Sequence, residues 1–130
     1  MKIEINVIDA KSEFDDLTRE VREWNEKTFP EATREGQFAK LEEEMAEFKE
    51  AAMRADDEKM SKEFADILIV LMGLTRWKSL VADYLLKRFT DCSDEEVERL
   101  IKNVRAKMKI NRERSKKGLW KKTEVGSYHH

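Results

Sequence analysis

The sequence is poor in residues that interrupt or cross-link a chain. Its 130 residues include one proline, four glycines and a single cysteine, Cys92. One cysteine excludes an internal disulfide and offers no metal-ligand spacing, which fits a reducing compartment such as the cytoplasm. No apolar run approaches the roughly 20 residues of a membrane span, and the start lacks the features of a secretory signal. We therefore expect a soluble, cytoplasmic protein without a membrane partner.

Histidine is equally scarce. The two histidines, His129 and His130, close the chain and are typical of an expression-tag remnant, so they are left out of the site. Without histidine in the helices, zinc hydrolases, histidine-based phosphohydrolases and iron bundles built on Glu-x-x-His pairs are disfavoured. A glycine-rich phosphate loop is missing too.

Charged residues make up 42% of the chain, and few residues break helices, which predicts an all-α protein of one domain over residues 1–130. Residues 1–11 should be extended and residues 116–130 an irregular basic tail. Apolar periodicity predicts helices over about 13–27, 34–54, 58 onward and 94–114, with Ser12, Thr33 and Ser93 as N-caps. The third helix is apolar nearly all round and could extend to Lys87, with Gly73 as a weak point. Four such helices suit a four-helix bundle completed by oligomerisation.

The second predicted helix carries two different stripes. Spacings of three and four predict a packed apolar seam made of Phe38, Leu41, Met45, Phe48 and Ala52. Beside the seam, Gln37, Lys40, Glu44 and Glu47 fall within about 80° of one another on the helical wheel. Glu43 and Glu50 flank this polar stripe, and Glu42 points elsewhere, to solvent.

A second acidic pair, Glu63 and Asp66, opens the most apolar segment of the chain, "EFADILIVLM". An ionised carboxylate in an apolar site costs several kcal/mol, by rough account, unless a cation meets it. Two such pairs on neighbouring helices can converge on one point, and hard oxygen ligands suit Mg²⁺ or Mn²⁺. Spacing alone leaves a solvated acidic face equally open.

The last predicted helix and its tail are basic. Residues 102–122 contain ten Lys and Arg against one acid, Glu113. Lys107, Asn111 and Arg114 share a helical stripe apart from the apolar positions. Binding of nucleic acid, binding of a polyphosphate bridged to a cation, and a merely solvated tail all remain open from this patch alone.

These residues together resemble the MazG-like all-α nucleoside triphosphate pyrophosphohydrolases. The signature of that family, E-E-x-x-E followed by E-x-x-D, matches Glu43, Glu44, Glu47, Glu63 and Asp66. The stretch "FPEATREGQFAKLEEEMAEF" and the closing "KMKINRER" also resemble the family. The residues around "TFPEATREGQ" favour a dATP/dGTP diphosphohydrolase-like branch that includes phage proteins. Two features depart from it. Extra helical turns lie between residues 76 and 96, and Lys116, Lys117 and Gly118 are expected to push Trp120 away from the neighbouring Arg that the family pattern places beside it.

The resemblance implies an enzyme, a hydrolase acting on phosphoric anhydrides, that converts a (deoxy)nucleoside triphosphate to the monophosphate and pyrophosphate in nucleotide-pool metabolism. It implies that Glu44, Glu47, Glu63 and Asp66 bind two or more Mg²⁺ or Mn²⁺ ions, which neutralise the phosphates and lower the pKa of a bound water. Glu43, beside the ligands, would orient that water or support a ligand, so Glu43, Glu44 and Glu47 are the candidate catalytic residues. Candidate substrate contacts are Trp24, Gln37, Lys40, Lys107, Asn111 and Arg114.

The resemblance also implies a homo-oligomer, either a dimer or a dimer of dimers, and no nucleic acid partner. A purine substrate such as dGTP or dATP is favoured. A pyrimidine (dCTP or dUTP) pyrophosphohydrolase of the same fold and a non-enzymatic helical partner-binding module are the alternatives. Trp24 has two interpretations as well: it could stack on a base, but a Trp that closes an apolar stripe is more often a core residue.

Overall fold

The computed structural model describes residues 9–122 and 128–129 and is helical apart from one short strand pair. The helices are α1 (Ala10–Thr28), α2 (Arg34–Met53), α3 (Asp57–Leu74), α4 (Leu80–Phe89) and α5 (Asp94–Lys116). The strands β1 (Lys121–Lys122) and β2 (Tyr128–His129) pair antiparallel, so part of the tail expected to be irregular is ordered. The all-α class is confirmed. The extended start predicted around Ile3, Ile5 and Val7 lies outside the described residues.

Side-chain caps set the helix starts. Thr33 accepts the Gly36 N–H at 3.0 Å and Ser93 accepts the Glu96 N–H at 3.2 Å, which confirms both predicted caps. The first cap is different, because Asp9 accepts the Ser12 N–H at 2.8 Å. Helix α1 therefore begins at Ala10, and Ser12 lies in its first turn.

The third predicted helix does not continue to Lys87. Helix α3 ends at Leu74, a 3₁₀ turn spans Thr75–Trp77, and Lys78 adopts the left-handed conformation at φ 55°. That conformation cannot continue a right-handed helix, so the chain turns and starts α4 under the cap of Ser79. The described residues thus form five α-helices, one more than predicted, and the extra helical turns noted in the sequence form this 3₁₀ turn and α4.

The core is built around α3, which packs on α1, α2, α4 and α5. Its residues Leu68, Leu71, Met72 and Leu74 are fully buried. Helix α2 packs chiefly on α3. None of the described helices is both long and apolar enough to cross a membrane.

The predicted seam of α2 is therefore only half right. Leu41 is buried, and Phe38 and Phe48 pack against the core. Met45 is 54% exposed and lines an open groove between α2, α3 and α4, and Ala52 is also exposed. The buried face of α2 instead includes Gln37 and Glu44, two residues of the polar stripe.

Candidate metal centre and nucleotide cavity

Three carboxylates from α2 and α3 meet at one point. Glu44, Glu63 and Asp66 each offer an oxygen, and these oxygens lie within 4.8 Å of one another. Glu63 and Asp66 stand one turn apart on α3, and Glu44 projects from the buried side of the neighbouring α2. The two helices that carry the acidic pairs thus present them to each other.

Burial makes this cluster costly when it is ionised. Glu44 is only 7% exposed, and burial, reinforced by the Asp66 charge, raises its pKa to about 7 against the partial opposition of Lys40. Burial, followed by the neighbouring Glu47 and Asp66, raises the pKa of Glu63 to about 7 as well. The pKa of Asp66 is also raised by burial, although Lys107 opposes the shift.

Two lysines neutralise part of this charge. The Lys40 ammonium lies 3.3 Å from Oε1 of Glu44, and the Lys107 ammonium lies 3.2 Å from Oδ2 of Asp66. Neither lysine reaches the remaining oxygens: Oε2 of Glu44 and Oε2 of Glu63 are buried and accept no hydrogen bond from any described residue. Buried oxygens of this kind are rare in native proteins, and a bound cation would satisfy both of them.

Glu47 and Glu43 lie at the edge of the cluster. Glu47 is exposed as a whole residue and falls outside the tight group of three, yet it lines the same cavity and its charge raises the pKa of both Glu44 and Glu63. Glu43 does not line the cavity; its Oε2 lies 3.6 Å from the Lys40 ammonium. Of the four predicted ligands, the structure gathers three closely and places the fourth beside them.

The carboxylates form one wall of a cavity of about 260 Å³. All six residues predicted to contact the substrate line it: Trp24, Gln37, Lys40, Lys107, Asn111 and Arg114. Asn111, predicted as a stripe residue of α5, is buried, and its Oδ1 accepts from Arg114 Nη1 at 3.4 Å. One side of the cavity is therefore acidic, and α5 supplies basic and amide groups facing it.

Four aromatic side chains, those of Trp24, Phe29, Trp120 and Tyr128, also line the cavity. Phe29 lies at the centre, with ring centroids 5.3 Å from Trp24, 5.2 Å from Trp120 and 4.3 Å from Tyr128. Trp24 is half-buried and lines the cavity while its ring contacts Phe29, so it has both core and cavity contacts. A cavity lined by both planar rings and charged groups offers contacts for the base and for the phosphates of a nucleotide.

The expected displacement of Trp120 is wrong, and Gly118 is the reason. Gly118 adopts φ +65°, and the Leu119 N–H bonds back to the Arg114 carbonyl, which is the pattern of a Schellman motif. The chain therefore folds back on α5 instead of running past it. Trp120 Nε1 donates to Ser115 Oγ at 3.1 Å, and its ring lies 6.0 Å from the Arg114 guanidinium.

Sequence reasoning missed several cavity residues. Asn25, Phe29, Ile69, Val70 and Tyr128 also line it. Asn25 had a readable signal, since it is a polar residue four positions after Val21 on the apolar stripe of α1. The contact of Tyr128 depends on the folding back of the tail and had no such signal.

A helical fold that brings E-x-x-E and E-x-x-D pairs together beside basic groups is the arrangement of the all-α nucleotide pyrophosphohydrolases. Residues 12–93, more than half of the chain, match the family model described as phosphoribosyl-ATP pyrophosphohydrolase, and the chain belongs to this family. Comparison with curated proteins and with solved structures found no match.

Family membership indicates pyrophosphohydrolase activity on a nucleotide, so the predicted enzyme class, a hydrolase of phosphoric anhydrides, is confirmed at that level. The family is metal-dependent in general, and the acidic cluster is where an ion fits. The matched residues include every predicted carboxylate but end before Lys107, Asn111, Arg114 and Trp120. The dATP/dGTP branch stays a prediction.

Proposed function

We propose that this chain is a metal-dependent nucleoside triphosphate pyrophosphohydrolase that cleaves its substrate between the α and β phosphates. The products are the nucleoside monophosphate and pyrophosphate, and a purine deoxynucleotide such as dGTP or dATP is the favoured substrate. The observation that carries the proposal is the pair of buried oxygens, Oε2 of Glu44 and Oε2 of Glu63, which accept no hydrogen bond from the described residues. The two residues that carry these oxygens line a cavity that is also lined by basic side chains and aromatic rings.

The residues fit Mg²⁺ or Mn²⁺. Three carboxylates with oxygens within 4.8 Å of one another form a hard, anionic donor set, and no described histidine or cysteine belongs to it. Glu44, Glu63 and Asp66 would hold the ion, with Glu47 at the rim as the fourth ligand or as a ligand of a second ion. When bound, the ion supplies charge neutralisation of phosphate oxygens and acidification of water.

The chain's own cations bind and orient the triphosphate. Lys40 and Lys107 lie 3.3 Å and 3.2 Å from cluster carboxylates, and an arriving phosphate can draw both ammonium groups toward it. Arg114 projects from the same side of α5 and suits a bidentate contact with a phosphate. Asn111 lies next to it and can donate to a phosphate or sugar oxygen.

Glu43 acts through Lys40 in this proposal. Its carboxylate lies 3.6 Å from the lysine ammonium and does not line the cavity. It is therefore a positioning residue, which holds the lysine against Glu44 before substrate binds. A role in orienting the attacking water, which the sequence suggested, requires a movement of the Glu43 side chain toward the cavity.

The test is a substrate panel with product analysis. All common dNTPs and NTPs, and phosphoribosyl-ATP because of the family, are incubated with Mg²⁺ or Mn²⁺ while pyrophosphate and phosphate are measured separately. We expect pyrophosphate from at least one substrate and loss of that activity in Asp66→Ala and Glu47→Ala. Glu42→Ala, an exposed carboxylate on the same helix, is the control and keeps activity. Wild-type rates in a folded Asp66→Ala variant contradict the site.

Two alternatives make different predictions in the same assays. A pyrimidine enzyme of the same fold releases pyrophosphate chiefly from dCTP or dUTP. A non-enzymatic partner-binding module releases none and shows no increase in Tm with Mg²⁺ or Mn²⁺, whereas a folded-state metal site raises Tm by mass action.

The proposed enzyme is a homo-oligomer, a dimer or a dimer of dimers. An almost wholly apolar groove runs between α2, α3 and α4, lined by Leu41, Met45, Ala46, Phe48, Lys49, Phe64, Ile67, Leu71, Leu85 and Phe89. Next to it on α4, Leu80 and Val81 are exposed. Because α2 has only α3 as its main neighbour, a second copy of α2 and α3 would complete the bundle and cover this groove. Light scattering that gives the 15.4 kDa monomer mass would contradict this proposal.

A further inference from the structure

Two buried amides lie in the cavity and have no part in the metal or phosphate contacts proposed above. Asn25 of α1 is 5% exposed and Gln37 of α2 is 9% exposed, and both line the cavity. A buried amide costs free energy unless its donor and acceptor atoms find partners. In each of these amides one atom has a partner within the protein and the other has none among the described residues.

Arg76 sets the orientation of Asn25. Its Nη1 donates to Oδ1 of Asn25 at 2.8 Å and to the main-chain oxygen of Phe29 at 2.9 Å. A guanidinium has donors only, so the amide atom that faces it must be the oxygen. The Asn25 Nδ2 group is thereby left as a donor, and no described residue accepts a hydrogen bond from it.

Gln37 is oriented the opposite way. Its Nε2 donates to the Val70 carbonyl at 3.1 Å, and since a carbonyl only accepts, Oε1 is the atom left over. Gly73 allows both amides to lie against α3, because a Cβ at that position would come within 2.7 Å of Gln37 Nε2 and 3.0 Å of Asn25 Nδ2. Within the described ranges, the buried side-chain nitrogen and oxygen atoms without a hydrogen-bond partner belong to Glu44 and Glu63, so the two spare amide atoms are not fully buried, and both amide residues line the cavity.

The cavity therefore presents a fixed donor, Asn25 Nδ2, and a fixed acceptor, Gln37 Oε1, beside the aromatic rings. A phosphate offers acceptors only, whereas a nucleobase edge places a donor beside an acceptor. The order of the two differs between bases: adenine and cytosine have an exocyclic amino donor beside a ring-nitrogen acceptor, and guanine and uracil have a carbonyl beside a ring N–H. Because the amides of Asn25 and Gln37 are fixed in orientation, they can pair with a base that has one order of donor and acceptor. A base with the opposite order leaves the two amide atoms without hydrogen bonds.

We propose that Asn25 and Gln37 read the edge of the nucleobase, and that Arg76 is the positioning residue that makes this reading selective between amino and keto bases. The inference deepens the proposed function and rests on it for the presence of a nucleotide. Arg76 does not line the cavity; it acts by denying the Asn25 amide its flipped orientation. The proposal assigns the choice between dATP and dGTP to this triad of residues.

The experiment measures affinity without turnover. Isothermal titration with the α,β-imido analogues of dATP, dGTP, dCTP and dUTP in Mg²⁺ gives the amino-to-keto preference of the wild type, Arg76→Gln and Asn25→Asp. We expect a wild-type preference of about tenfold or more, since the rejected class leaves buried groups unpaired. Arg76→Gln should reduce the preference to within about threefold, because a glutamine lets Asn25 flip.

Asn25→Asp covers the case in which Arg76→Gln does not fold. It keeps the oxygen that Arg76 contacts and replaces the Nδ2 donor by an acceptor, so affinity for the preferred class should fall about tenfold or more. Arg54→Gln is the matched control, because Arg54 is exposed at the end of α2, pairs with Glu50 at 2.7 Å and does not line the cavity. It should bind like the wild type.

The outcomes separate the two proposals. A wild type without amino-to-keto preference, or a folded Arg76→Gln or Asn25→Asp that keeps the wild-type preference, overturns the inference even if pyrophosphate is released. Selective binding that both variants lose, with no pyrophosphate released from any nucleotide, supports the reading of the base and refutes the proposed reaction.

Discussion

Replacing Glu44 by glutamine should make the metal-free protein more stable at pH 8 while removing most of its response to Mg²⁺. Burial raises the pKa of Glu44 from 4.5 to about 7, so at pH 8 the folded chain holds a charge that it disfavours. At about 1.4 kcal/mol per pKa unit this costs at most about 3.5 kcal/mol in the free energy of unfolding. Since the neighbouring carboxylates relax when one charge is removed, we expect a gain of about 1 to 2 kcal/mol, or roughly 4 to 8 °C in Tm.

Bound metal should stabilise the wild type more than it stabilises the Glu44→Gln variant. A ligand at ten times its Kd adds about 1.4 kcal/mol to the stability of the folded state, which raises the wild-type Tm by roughly 4 to 6 °C. The Glu44→Gln variant has lost one charged ligand and should respond by less than about 2 °C. The assay is thermal unfolding at pH 8 in EDTA and across a Mg²⁺ titration.

The matched control is Glu42→Gln, which removes the same charge from an exposed position two residues away. It should change Tm little in EDTA and keep the full response to Mg²⁺. The reasoning is refuted if Glu44→Gln melts below the wild type in EDTA at pH 8. An undiminished Mg²⁺ response in that variant refutes the ligand assignment.

Further predictions follow from the same contacts. The raised pKa values of Glu44 and Glu63 favour proton binding to the folded state. The contribution of these two groups to the stability of the metal-free protein should therefore be largest below about pH 4.5 to 5 and be lost as pH rises through about 7. A Tm in EDTA that rises between about pH 5 and pH 7 contradicts this prediction. Met45→Glu should place a charge in the apolar groove and shift the light-scattering mass toward the monomer, whereas an unchanged mass places the subunit contact elsewhere. Trp120→Ala should raise KM for the nucleotide several-fold with a smaller change in kcat, because the Trp120 ring is one of the aromatic side chains that line the cavity. An unchanged KM contradicts a contact between Trp120 and the base.

Local sequence signals predicted the elements well where one helix decides its own boundary. The caps at Thr33 and Ser93 and the start of α3 depend on hydrogen bonds within a few residues, and such bonds can be read from spacing. The end of α3 could not be read in this way. It depends on Lys78 adopting a left-handed conformation, and the sequence has no glycine at that position to indicate it.

The acidic side of the site was predictable because carboxylates at i, i+3 in an apolar context carry a strong physical cost. The face of α2 was harder, since apolar periodicity identified a stripe around Met45 that the single chain leaves exposed. Periodicity reports every apolar face and does not say which partner covers it. Tertiary contacts such as Arg76 with Asn25, or Trp120 with Ser115, depend on how distant segments fold back and had no sequence period.

We expect Glu44, Glu63 and Asp66 to hold a divalent cation. Anomalous diffraction from crystals grown with Mn²⁺ would locate the ion directly. The expected result is a peak within about 2.5 Å of oxygens from all three carboxylates, with Oε2 of Glu44 and Oε2 of Glu63 among its ligands. Density without such a peak, at saturating Mn²⁺ and with Lys40 and Lys107 still paired to Glu44 and Asp66, would contradict it.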